Sequence, residues 1–441
     1  MSEPAFKSEE IHVEDRASGE GLVAERLGPA DVPPAFTVAE PRQVPRISIH
    51  AFCISPETGV VLKRASEDRR VARAHMSVMM GGVDAAAAHY RDKPTPNLIL
   101  AETSGAREEV LKDLARLAEC CDPGTKVIVL GATNDIPLYR ELMRRGISEY
   151  LVGPFTPVGI IDAVSGLYGD PETAPIGRVM AFVGAKGGVG SSTIAHNVAW
   201  MLAEEFEDEV TLIDLDLHFG TTGLDFNQEH GQGLIDAVTA PDRLDHMLLE
   251  RLVIKCTERL SLLTASASLE REFDLHPETC EAILDVVRGT VPAIVIDLPH
   301  VWSPWTRHVL QSADDVVITA TPELSSLRNA KNMIELLKAA RPNDPPPRLV
   351  INQVGMGKRP EIPLKDFAEA AGLDLATVLH FDPQLFGTAA NNGQMLGEMK
   401  GDNKPAQQMR ELAAILTGRQ AEATRRRKKK SMSLFGGGKR K

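Results

Sequence analysis

From residue 45 onward, short apolar runs recur at intervals filled by longer amphipathic stretches. RISIHAF (46–52), MSVMM (76–80), NLILAE (97–102), KVIVLGA (126–132) and EYLVGPF (149–155) have the length and composition of buried strands, and REEVLKDLARLAECC (107–121) reads as a helix. A second series follows: RVMAFVG (178–184), VTLIDLD (210–216), VPAIVIDLPH (291–300), the strand in ADDVVITATPELSSLRNAKNMIELL (313–337), and RLVINQV (348–354). Alternation of strands with helices predicts parallel sheets covered on both faces. The expected fold class is α/β, with a small doubly wound domain followed by a larger parallel-sheet domain.

The punctuation between these series sets the expected boundaries. Residues 1–44 are acidic, proline-bearing and aperiodic, and are expected to be disordered. GDPETAPIG (169–177), with two prolines and two glycines, separates a first domain at 45–168 from a second at 178–420, and a basic tail at 421–441 closes the chain. The 441 residues are enough for two or three domains, and at 43% hydrophobic they can bury full cores. Five cysteines, Cys53, Cys120, Cys121, Cys256 and Cys280, form no CxxC pair, which points to reduced cytosolic thiols rather than disulfides or zinc. The first residues, MSEPAFKSEEIHVED, lack an apolar signal segment, and no run approaches the ~18 apolar residues of a membrane span, so a cytoplasmic protein is expected.

The chemistry concentrates where RVMAFVG gives way to the helical run SSTIAHNVAWMLAEE (191–205). Between them lie Ala185, Lys186, Gly187, Gly188, Val189 and Gly190, followed by Ser191, Ser192 and Thr193. A glycine-rich loop between a strand and a helix turns backbone N–H groups and the helix N-terminus toward phosphates. The usual loop lysine is missing, because Ser191 occupies its position, and the loop's cation is Lys186. VTLIDLD ends in Asp214 and Asp216, two carboxylates expected beyond the C-terminal edge of a parallel sheet, where ligands bind, and a second apolar strand, VPAIVIDLPH, ends in Asp297. Any one of these aspartates alone would read as a strand-end cap. Three behind a glycine-rich loop favour metal and phosphate chemistry.

The displaced Lys186 resembles the deviant Walker A motif of the ParA/MinD ATPase family, a P-loop NTPase group, and the likeness extends over about residues 178–420. It implies ATP and Mg²⁺ as cofactors, with Lys186 to Thr193 cradling the phosphates and Ser192 supplying a hydroxyl to Mg²⁺. It further implies that Asp214 supports the metal shell through water, that Asp216 positions the attacking water in a first switch segment, and that Asp297 belongs to the second switch. Asn352 would recognise the adenine edge, and FDPQLFGTAANNGQML (381–396), with Pro383 near its start, would form the adenine-side loop. The family dimerises face to face around ATP, with Lys186 expected to reach the partner's phosphates. With Ser191 uncharged, weak hydrolysis is expected at most.

The first domain resembles a response-regulator receiver in NLILAET, VIVLGAT and EYLVGPF, without the phosphorylation set. The first-strand acidic pair falls on His50 and Ala51, the acceptor aspartate on Glu102, the hydroxyl position on Gly131 and the lysine on Gly153. A pseudo-receiver used for docking is the expected role. A pseudo-receiver ahead of such an ATPase, with the string AKGGVGSST, resembles the CpaE/TadZ proteins of tight-adherence (Flp-type) pilus assembly. The resemblance implies a protein that marks or organises a pilus secretion machine at the inner membrane, with polar landmark proteins as partners. An ATP-cycling spatial regulator and a nucleotide-free scaffold are the rival readings.

Charge narrows the partners. The net charge is −12, and setting aside the nine Lys/Arg of Arg425–Lys441 leaves −21 on the rest. Such a body repels DNA, so DNA is not expected as a partner. The tail, RRRKKKSMSLFGGGKRK, resembles a membrane-surface anchor for an anionic leaflet, a solvated charge run being the other reading.

Overall fold

The structure, a computed structural model, describes residues 43–168, 177–228, 233–239, 243–264, 275–399 and 403–419. The basic tail and almost all of the expected N-terminal region and linker lie outside these residues. Val44, placed with the N-terminal region on pattern alone, is fully buried, and its N–H donates to Arg70 O at 2.7 Å.

The first domain is a five-stranded sheet of β1 (Ser48–Cys53), β2 (His75–Met80), β3 (Leu98–Thr103), β4 (Lys126–Gly131) and β5 (Glu149–Val152). All pairs are parallel, in the order β2-β1-β3-β4-β5 shared by doubly wound flavodoxin-like folds. Helices α1 (Pro56–Ser66), α2 (Gly82–His89), α3 (Arg107–Ala118), α4 (Ile136–Arg144) and α5 (Pro157–Tyr168) cover it. Alternating residues explain the two faces: Leu98 and Leu100 pack with α1 and α5, and Ile99 and Ala101 with α2, α3 and α4. The expected strand 149–155 stops at Val152, since Pro154 has no N–H to donate to a ladder.

The second domain holds β6 (Arg178–Gly184), β7 (Val210–Asp214), β8 (Ile254–Lys255), β9 (Leu260–Leu263), β10 (Ala293–Leu298), β11 (Asp315–Ala320), β12 (Arg348–Val354) and β13 (Leu375–His380). Their order is β13-β12-β11-β6-β10-β7-β9-β8, parallel except for β8 against β9. The helices are α6 (Ser191–Glu204), α7 (Thr222–Asp225), α8 (Gly233–Thr239), α9 (His246–Leu252), α10 (Pro277–Arg288), α11 (Pro304–Ser312), α12 (Leu324–Ala340), α13 (Leu364–Ala371), α14 (Pro383–Asn392) and α15 (Lys404–Leu416). β6 lies mid-sheet and is buried on both sides. Met180 and Phe182 pack with α6 and α15, while Val179, Ala181 and Val183 pack with α10, α11 and α12.

The two domains meet at the edge opposite the glycine-rich loop. Arg69, in the turn after α1, donates to Asp344 at 2.7 Å and Asp314 at 2.9 Å, and Asn343 donates to Asp68 at 2.9 Å. The Asp314 carboxylate also accepts from Val179 N at 2.8 Å, at the start of β6, and pairs with Arg288 at 3.4 Å. Burial alone would push the Asp314 carboxyl up, but Arg288 and Arg69 together hold it below its ordinary 3.8. Removing one member leaves its partners buried and incompletely paired. Arg69→Ala should cost about 3 kcal/mol in the docking of the domains, at the low end for a broken buried pair because Arg288 and Arg341 remain. The half-exposed Arg73 pairs with Glu281 and Asp285, and its loss should cost at most about 1 kcal/mol. Calorimetry should show Arg69→Ala splitting off a lower-melting transition and Arg73→Ala unfolding as the parent does. Because the folded Asp314 carboxyl titrates low, its contribution should be present above pH 3.8 and lost as pH falls through its depressed value.

Candidate functional site

The loop from Ala185 to Gly190 is shaped by glycine where no other residue fits. Gly188 and Gly190 have φ of 75° and 87°, and a Cβ on Gly190 would fall 2.5 Å from Asn352 Nδ2. The loop is tied from behind: Ala185 N donates to Thr319 O at 2.8 Å, Asn329 to Ala185 O at 2.8 Å, and Gln353 to Gly188 O at 2.9 Å. The turn-closing bond from Ile194 N reaches Gly190 O at 3.1 Å. The N–H groups of Ser191, Ser192 and Thr193 therefore precede any intrahelical acceptor and are available to an anion. Ser191 Oγ is buried with no hydrogen-bond partner among the described residues, as is Asp297 Oδ1. Two orphaned buried oxygens beside an anion-binding helix terminus fit a phosphate ligand and its cation.

Beneath the loop a buried cluster joins four elements. His196 lies one turn beyond Ser192 on α6 and is fully buried. Its Nδ1 donates to Asp225 at 2.9 Å, and its Nε2 lies 2.9 Å from Thr222 Oγ1 and 3.5 Å from Asp297 Oδ2. Thr222 in turn donates to Asp214 at 2.7 Å. Burial would strip the imidazole of its proton, but Asp225 and Asp297 outweigh burial and push its pKa well up. Asp214 is also raised, by burial first and then by Asp297. His196 Nε2 and carboxylate oxygens of Asp214 and Asp297 lie within 4.8 Å of one another, so a protonated His196 offers these carboxylates its charge and leaves their remaining oxygens to face a cation.

Several expected site residues occupy different surroundings. β7 ends at Asp214, because the Asp214 carboxylate takes the Asp216 N–H at 3.0 Å and turns the chain out of the ladder. Asp216 is therefore a loop residue, and its own carboxylate accepts from Phe219 N at 3.0 Å. Asp297 is the penultimate residue of β10, close to where the apolar run was expected to end. Lys186, half exposed, donates to Glu323 Oε2 at 3.1 Å in its own chain. That bond holds the Glu323 carboxyl below its ordinary range. Asn352 donates to Val189 O at 2.8 Å and accepts from Gln353 N at 2.8 Å, and so also braces the loop. Residues 383–392 are helix α14 rather than a loop: Asp382 caps it by accepting from Leu385 N at 2.9 Å, Pro383 opens its first turn, and Gly393 closes it at φ 59°.

In the first domain, Glu102 accepts from the backbone of Ile54 and Ser55 at 2.5 and 3.0 Å and from the Thr58 hydroxyl at 2.9 Å, tying β3 to the start of α1. Gly131 cannot carry the hydroxyl of a receiver, since a Cβ there would fall 2.2 Å from Tyr150 Oη.

Comparison with known proteins adds an independent line. A family model described as an AAA domain matches residues 177–345. The crystal structure of a pilus assembly protein CpaE from Caulobacter crescentus has 52% sequence identity, covers 29% of this chain and 98% of its own, and has a TM-score of 0.29. The septum site-determining protein MinD of Bacillus subtilis is 23% identical over 248 residues, 55% of this chain and 90% of that protein. A ParA family ATPase from Chlorobium tepidum is 25% identical over 54% of this chain and 98% of its own, with a TM-score of 0.49. Identity at 52% across nearly all of the CpaE chain, beside the family model on the loop-bearing domain, is decisive. The chain is a CpaE-type member of the ParA/MinD family.

Its glycine-rich loop departs from an ordinary P-loop at Ser191. The loop chemistry makes a test possible. Since Ser191 Oγ bonds to no described residue, Ser191→Ala should not lower thermal stability, and removing a buried unpaired polar group can raise it by about 1 kcal/mol. ATP affinity should fall by up to about tenfold, the worth of one neutral hydrogen bond. Thermal unfolding and ATP titration of the same variant check both. A loss of stability with no change in affinity would mean the hydroxyl serves the fold.

Proposed function

We propose that this chain binds Mg²⁺ and ATP, dimerises around the nucleotide, and in that form organises a pilus assembly and secretion machine at the cytoplasmic face of the inner membrane. The identity with CpaE carries the pilus reading. The orphaned oxygens of Ser191 and Asp297 support nucleotide and cation binding. Phosphates would lie on the N–H groups of Lys186 to Thr193, and Mg²⁺ would be held by Ser192 with support from Asp214 and Asp297. A bound Mg²⁺ would neutralise phosphate charge, which matters more here than in an ordinary P-loop because Ser191 adds none.

Dimerisation is supported by exposed apolar side chains on the segments that follow strands at the nucleotide edge of the sheet. Phe219 is 70% exposed, Leu224 61%, Val301 55%, Trp302 53% and Leu324 74%. They follow β7, β10 and β11, so all stand at the same edge as the loop. Exposed apolar side chains so grouped mark an interaction surface. For Lys186 to serve a partner's phosphates it must leave Glu323, an exchange of one anion for a more highly charged one. Weak turnover follows, since catalysis needs charge added as the γ-phosphoryl transfers and Lys186 is the loop's own cation. The first domain, lacking an acceptor site, would dock the assembly partners.

The decisive experiment combines calorimetry with ATP and ADP, light scattering with and without Mg²⁺ and ATP, and a turnover assay on the full chain. ATP should bind and convert monomer to dimer, with slow turnover. Lys186→Ala should weaken ATP-dependent dimerisation. Phe219→Ser with Trp302→Ser should abolish the dimer while ATP affinity for the monomer stays within about twofold, because neither residue belongs to the loop. Fast turnover stimulated by lipid or DNA would replace this reading with that of a cycling spatial regulator. Failure of ATP to bind would leave a nucleotide-free scaffold.

A further inference from the structure

The His196 cluster does something the glycine-rich loop does not require. In P-loop switches the segments that follow the strands are commonly ordered by the γ-phosphate and its Mg²⁺, and relax when these go. Here protein side chains span the same interval. From α6, His196 reaches Asp225 and Thr222 on α7 and Asp297 on β10, and Thr222 continues the chain of bonds to Asp214 on β7. Gly220 lies so close that a Cβ there would fall 2.4 Å from Asp214 Oδ2, so the segment between β7 and α7 is folded tightly onto this cluster. His196 and Thr222 are wholly buried, leaving no water to compete for these bonds.

We propose that His196 is a positioning residue that ties the first switch segment, residues 214–226, to the P-loop helix and the second switch. Order in that segment then comes from the tie and not from Mg·ATP. Nucleotide binding would be read out by dimerisation across the exposed apolar edge, with the first switch already set. The inference rests on the ATP-binding reading for its contrast with Mg·ATP, but the tie itself is a property of the chain alone.

Hydrogen exchange of peptides covering 212–228 in the full-length protein tests it, with and without Mg²⁺ and ATP. The parent should protect this segment in both conditions, with protection changing less than about twofold. Asp225→Asn is the probing variant, because Asp225 is partly exposed and its loss spares the fold better than a change at His196. Without nucleotide its protection should drop by about tenfold or more, the worth of a hydrogen bond to a charged group, and Mg·ATP should restore it. Thr222→Val, which cuts the link to Asp214, should behave the same way. A parent segment that becomes protected only with Mg·ATP would overturn the tie, as would variants whose exchange matches the parent in both conditions. If calorimetry shows no ATP binding, the functional reading falls, while the nucleotide-free comparison of parent and variants still decides the tie.

Discussion

Parallel pairing of β6 with both β10 and β11 is the constraint on which everything else in the second domain depends. Strands that run the same way release their following loops at the same edge, so the turns after β6, β7, β10, β11 and β12 must converge. The crossover helices needed to return the chain cover both faces, which is why β6 and β10 read as nearly continuous apolar runs. Residues far apart in sequence, Lys186 and Glu323 or Val189 and Asn352, become neighbours through this one rule. The opposite edge follows from it as well. The starts of β6 and β11 gather there, and the first domain docks onto them through Arg69.

The two edges solve the same electrostatic problem in different ways. At the docking edge, Asp314 and Asp344 are matched by Arg69, Arg288 and Arg341, and the carboxyl of Asp314 is held low. At the nucleotide edge, Asp214, Asp225 and Asp297 share one imidazole, and the carboxyl of Asp214 rises. A buried cluster with more anionic than cationic groups is costly to hold unless a further cation completes it. The docking edge is thus electrostatically closed, whereas the nucleotide edge is still open to positive charge. That asymmetry fits a fixed joint at one end of the sheet and a ligand site at the other.

Much of this was legible in the sequence because parallel strands and a glycine-rich loop leave strong local patterns. The apolar runs placed the sheets, and the order of strand, loop and helix placed Lys186 to Thr193 at a helix terminus. What the pattern could not give was the outcome of competition for a hydrogen bond. Asp216 reads as the last residue of a strand until Asp214 takes its N–H, and nothing local in the sequence shows that Asn352 also ties the loop through Val189 O. Residues 381–396 looked like a loop because their Asn and Gly suggest turns, yet Asp382, Pro383 and Gly393 are the cap, first residue and stop of α14. The short β8 and β9 gave too little apolar length to stand out. His196 did leave a signal, a histidine beside Asn197 in the mostly apolar run IAHNVAW, but only the fold brings Thr222, Asp225 and Asp297 to it.

Lys186 shows how these constraints meet at the surface. Its partner Glu323 immediately precedes α12 and is braced by the Thr321 hydroxyl at 2.9 Å, with Arg359 lying 3.6 Å from its carboxylate. A half-exposed pair of this kind is worth little against water, so the lysine is held in place without being buried or spent. A phosphate chain carries several charges where Glu323 carries one, and its field in a closing interface is less screened than that of a carboxylate facing solvent. On the proposed reading the pair would store the lysine beside the loop at small cost and release it to a stronger anion. A charge able to move between partners would then replace the fixed one that Ser191 does not supply.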